Sequence, residues 1–132
     1  MIVQTEAAEL ERLPDGNLEM RFKKNVKLTL DRIHEILDAR VKLGGEGSYS
    51  VLVTLPEEVD FDVNVLTNDH YRDRELHKCT YAVAWDAQSS MNEQLVEIFY
   101  RYFPQPFPVK VFRTEQEARA WLGTMHPPAK TD

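Results

Sequence analysis

The chain has 132 residues, 42% apolar and 29% charged, with 16 Lys and Arg against 22 Asp and Glu, which describes one globular domain with a real core and a net charge of −6. That acidity disfavours nucleic acid, whose phosphates require a basic surplus, and matches anionic membrane surfaces poorly. A single Cys79 excludes an internal disulfide and a Cys-built zinc cage, while the lack of a spanning run or signal peptide predicts a cytoplasmic protein with no integral membrane association.

Pro14-Asp15-Gly16-Asn17 reads as a turn, with a φ-fixed Pro and a permissive Gly. Val3–Leu13 and Leu18–Phe22 flank it as the arms of a β-hairpin. The second arm alternates strictly; the first does not, at Leu10, Arg12 and Leu13. Thr29 is the expected N-cap of a first helix with Asp31 in its first turn. Leu30, Ile33, Ile36, Leu37 and Val41 share one face, and Gly44-Gly45 ends it. Val51–Leu55 is a strand closed by Pro56. Asp62–Leu76 is ambiguous: Asp62 is placed to cap a helix carrying Val63, Leu66, His70 and Tyr71, but β-branched and Asn residues lower its propensity.

Tyr81–Trp85 is the next strand. Ser90-Met91-Asn92-Glu93 fits a capping box opening a third helix, and Pro104, Pro106 and Pro108 stop it. Val109–Phe112 is the last strand. Thr114-Glu115-Gln116-Glu117 is a second capping box; Ala118, Trp121 and Leu122 line the final helix, and Gly123 ends it. Residues 1–123 form one domain, and 124–132 a flexible tail. Short apolar runs alternating with helices predict an α/β domain with a mostly parallel sheet.

Leu18-Glu19-Met20-Arg21-Phe22, Leu28-Thr29-Leu30-Asp31, Val51–Leu55 and Phe107–Leu122, in this order, resemble the small SpoIIAA-like proteins, also described as STAS/SEC14-type domains, many of them uncharacterised bacterial proteins. The resemblance covers residues 9–122. It implies a mixed sheet of four or five strands with about four helices. In its better-understood members, anti-sigma-factor antagonists, a serine opening the helix after the central strand is phosphorylated to switch binding to a kinase. The matching stretch Leu55–Val63 has no Ser or Thr, so that acceptor is missing. Asp60 and Asp62 there offer permanent negative charge, although carboxylates are ordinary loop and capping residues.

No catalytic set converges in the sequence, and no enzyme activity, metal or cofactor is expected. Ligands in parallel sheets sit beyond the carboxyl ends of the strands, which marks Asp60, Asp62, Asp86, Ser89 and Ser90 as a ligand or switch loop, with simple capping the plainer role for the serines. The third helix stands out. At about 100° per residue its apolar residues spread over about 200°, against about 140° for the first helix. Val96, Tyr100, Phe103 and Phe107 are therefore read as a docking surface for a protein partner or a second copy, with infolding onto the core as the competing reading. Arg21, Lys23, Lys24 and Lys27 lie early and Glu57–Asp62 later, as opposed charge patches or as solvated loops. A non-enzymatic interaction module is the leading expectation, and a small-ligand or lipid-binding protein the alternative.

Overall fold

The computed structural model describes residues 1–72 and 74–127. The described elements are β1 (Ile2–Gln4), β2 (Ala8–Arg12), β3 (Leu18–Phe22), β4 (Lys27–Leu28), α1 (Leu30–Gly44), β5 (Tyr49–Leu55), β6 (Asp60–Phe61), α2 (Val63–Leu66), β7 (Thr80–Ala87), α3 (Ser90–Tyr102), β8 (Val109–Phe112) and α4 (Glu115–Leu122). A 3₁₀ turn, Leu76–Lys78, precedes β7.

Six strands form one sheet in the order β1-β2-β3-β5-β7-β8. The first three pair antiparallel, and β3, β5, β7 and β8 run parallel. The α/β class and the mostly parallel sheet are as expected, but the sheet is wider than four or five strands. Val3–Leu13 is two strands rather than one hairpin arm. The Thr5 hydroxyl accepts from the Ala8 N–H at 3.0 Å and donates to the Ala8 carbonyl at 2.9 Å, folding a tight turn that breaks the alternation. β4 and β6 add a separate two-residue parallel pair.

Strand alternation sorts the sheet's side chains onto two faces. Leu18, Met20, Phe22, Val51, Val53, Leu55 and Val83 join α1, α2 and α3 in the main core. Leu52 and Ala84 point the other way, where Ala118, Trp121 and Leu122 of α4 and Phe112 cover them. Beside α4 on this face, Glu19 is only 7% exposed. It meets Arg21 at 2.9 Å and Arg119 at 2.8 Å. Arg21 also reaches Glu9 and Glu11, and Lys27 pairs with Asp62 at 3.0 Å. Two of the four early cations, Arg21 and Lys27, are thus paired with the chain's own carboxylates.

Helix ends follow local chemistry. Thr29 caps α1, accepting from Arg32 N–H at 3.3 Å, and Gly45 closes it at φ 62°, a region costly for side chains with a Cβ. Thr114 caps α4, and its hydroxyl donates to the Glu117 carboxylate at 2.9 Å. At α3 the cap is Ser89, one residue before the expected box: Ser89 is extended and accepts from Asn92 N–H at 3.1 Å. Ser90 is already helical, and Glu93 turns to Arg113 at 3.7 Å instead of closing a box. α2 is a single turn; Asp62 precedes it without a side-chain cap bond, and His70 and Tyr71 lie beyond it. Of the expected tail, residues 128–132 lie outside the described residues. Thr124 and Met125 hydrogen-bond back to Trp121 and Leu122.

Candidate functional site

The core between the sheet and the helices is not filled. A cavity of about 80 Å³ lies there, walled by Met20, Phe22, Val51, Val53, Val83 and Trp85 from the sheet. Ile33, Ile36, Leu37 and Arg40 of α1, Phe61, Val65 and Leu66 around α2, Val96, Phe99 and Tyr100 of α3, and Leu28, His70 and Tyr71 complete it. Phe61 and Leu66 are only half-buried, so β6 and α2 form the wall nearest solvent. At about 24 cal/mol per Å³, an empty cavity of about 80 Å³ costs the fold about 2 kcal/mol.

Five side chains with polar atoms, Trp85, Tyr100, Tyr71, His70 and Arg40, line this mostly apolar space. The Trp85 indole N–H donates to the Tyr100 hydroxyl at 3.2 Å, and that hydroxyl also bonds to Tyr71. Burial pushes the Tyr100 hydroxyl well above its ordinary titration range, so it stays neutral. His70 is buried between α1 and α3, with its ring 5.6 Å from Phe99 and 6.4 Å from His34. Its Nε2 lies 2.6 Å from the Val65 carbonyl, which can only accept, so Nε2 carries the proton. Burial holds His70 below the usual histidine range, against the raising effect of that bond.

Arg40 is the fifth. It is 2% exposed. Its Nη2 donates to the Thr80 hydroxyl at 2.5 Å, and its guanidinium carbon lies 5.5 Å from the Tyr49 ring centroid and 5.7 Å from that of Tyr71. Burial pushes the Tyr49 hydroxyl up to about 12, so it supplies no countercharge. Tyr49 is itself wedged against α1: a Cβ on Gly44 would fall 2.5 Å from its Cε1. Among the described residues no ion pair includes Arg40, and its Nε–H has no acceptor. An unpaired buried guanidinium carries a desolvation penalty of several kcal/mol.

Arg40 escaped the sequence reading, which placed Val41 on the inner face. Val41 is 45% exposed, and the buried stripe runs Ile33, Ile36, Leu37, Arg40, Gly44. Extending the i, i+3, i+4, i+7 series from Ile33 lands on Arg40, which was the available signal.

The residues read from sequence are redistributed. Val96 and Phe107 are buried at 4% and 7% in the chain's own core, so they offer no docking surface. Tyr100 faces the cavity, and Phe103 is half-buried with its ring 5.4 Å from Phe99. The broad apolar arc of α3 exists because the helix packs on the sheet on one side and on Tyr71 and His70 on another. On α3 the exposed apolar residues are Met91 and Tyr102.

At the carboxyl ends of the strands, Asp86 is 2% exposed and accepts from Gln88 at 3.2 Å, and burial raises its carboxyl above the ordinary range. Among the described residues, its Oδ1 and the Oδ1 of buried Asn92 lack partners. Ser89 is a cap, Ser90 the first helical residue, and Asp60 an exposed residue of β6. Among the described residues, no group of three or more His, Cys, Asp or Glu side chains could hold a metal ion.

A second, wider hollow of about 190 Å³ lies at the amino ends of β3 and β5. Its polar walls are self-satisfied: Asn17 accepts from Ser50 N–H at 2.9 Å, and Arg119 holds Glu19. The apolar cavity differs from it in having on its lining one side chain, Arg40, whose Nε–H lacks an acceptor among the described residues.

Residues 12–126 match the model of a family described as a domain of unknown function, DUF7793. The chain belongs to the DUF7793 family. The matched segment opens at the last residue of β2, so β1 and most of β2 precede it in this DUF7793 chain. The fold is similar to the crystal structure of an uncharacterised DUF3478-family protein with a SpoIIAA-like fold from Shewanella loihica PV-4. That likeness has a TM-score of 0.59 at 20% identity and covers 88% of this chain and 92% of the other. No curated protein matches the DUF7793 sequence. No described helix is long and apolar enough to cross a membrane.

Proposed function

We propose that the domain is a non-enzymatic binding module whose helix-side cavity takes a small ligand with a largely apolar body. The observation that carries this reading is the cavity of about 80 Å³ between the sheet and the helices. A pocket lined by apolar and aromatic side chains with a few convergent polar groups is the ordinary form of a small-molecule site. Its volume suits a compact ligand rather than a two-chain lipid. Docking of a protein on α3 is the weaker reading, because Val96 and Phe107 are committed to the core.

Benzene or indole added to the protein tests the proposal, followed through the Trp85 indole and valine methyl resonances. Saturable shifts confined to cavity residues, lost when Val51→Ile and Val83→Ile fill the space, are the expected result. Unmoved cavity resonances and an unchanged melting temperature at saturating probe would refute it.

A further inference from the structure

Resting on the ligand-cavity reading, we infer that the ligand carries a carboxylate and that Arg40 is its anchor. Of the polar groups on the cavity wall, Trp85, Tyr100, Tyr71 and His70 are bonded within the chain. Arg40 lines the same space, is 2% exposed, and keeps an Nε–H with no acceptor among the described residues. Its neighbours are neutral: a hydroxyl from Thr80 and the rings of Tyr49 and Tyr71. Aromatic faces stabilise a cation but offer no oxygen to the donors at its edge.

What this site lacks is one negative charge with planar acceptors. A carboxylate supplies both, taking the Nε–H and an adjacent Nη–H in the fork geometry that guanidinium favours. A single buried positive charge balances a monoanion. A phosphate dianion would leave a buried negative charge unmatched. From Arg40, beside the amino ends of β5 and β7, the cavity reaches Phe22 and Trp85 nearer the other ends of the strands. That gives an anionic head at one end and an apolar lining for the tail. The ligand class is a small carboxylate with a hydrocarbon or aromatic tail.

Hexanoate and hexanol, which share a tail length, separate the two ideas. Titrated separately into the wild-type protein above pH ~6, where the acid is ionised, hexanoate is expected to bind at least about tenfold tighter. In Arg40→Met, which substitutes an apolar chain for a buried charge, hexanol binding persists and the preference disappears. Arg40→Lys, keeping charge without the fork, retains only part of it. Equal binding of the two by wild type would overturn the carboxylate inference and leave the cavity reading standing. Failure of both probes, and of benzene, to shift any cavity resonance would overturn both. The wild-type comparison decides the matter even if Arg40→Met does not fold.

Discussion

His70 shows how a side chain that sequence leaves ambiguous acquires a defined state. Free in the chain it titrates near about 6.5. Folded, it is buried and its pKa is lowered, burial being the main cause. Below the unfolded value the unfolded chain therefore binds a proton that the folded one refuses. The stability this contributes is present above about pH 6.5 and is lost as pH falls from there towards the lower folded value. Urea midpoints at about pH 7.5 and 5.5, on either side of that value, should fall more for wild type than for His70→Gln, whose amide still donates to Val65. Equal losses would mean that His70 is not the sensor. Asp86 acts in the opposite sense: its folded carboxyl is raised, so its contribution improves as pH falls from neutral through the raised value.

The helices were legible because their ends are written in local chemistry. Thr29, Thr114 and the Gly45 terminus follow from side-chain oxygens and from the absence of a Cβ. The one-residue error at α3 has the same root. Two adjacent serines both satisfy the composition rule, and only backbone conformation chooses between them. Ser89 is extended and bonded to Asn92 N–H, so Ser89→Ala should cost about 1 kcal/mol while Ser90→Ala costs a few tenths at most. Chemical denaturation of the two variants separates them; equal losses would return the cap to Ser90. Short elements were the least readable. β1, β4, β6 and α2 have from two to four residues each, too few for a period to declare itself.

For the whole molecule, the central consequence is a core with a vacancy. Filling it should stabilise the unliganded chain. Val51→Ile with Val83→Ile should gain stability by up to about 2 kcal/mol, the estimated cost of the cavity, provided the new methyl groups enter it without strain. The same substitutions should abolish probe binding, so a stability gain with binding retained would place the ligand elsewhere. This opposition between stability and occupancy is expected wherever a fold keeps space open for a ligand.

The sequence by itself determined the α/β class, the parallel strand-helix succession and most helix ends. Each depends on residues within a few positions of one another: apolar runs, caps, glycines and prolines. It also showed that the Leu55–Val63 stretch lacks a hydroxyl acceptor. Tertiary structure alone decided where the apolar excess of α3 goes, because exposure depends on what packs against a helix. It alone brought Arg40 beside Thr80, 40 positions away, and Tyr71 beside Tyr100, 29 positions away. A cavity is a shortfall of volume summed over three helices and a sheet, and no local pattern records it. Charge counts likewise did not reveal that Arg40 is buried without a partner among the described residues, since a count gives the number of cations but not which of them water can reach.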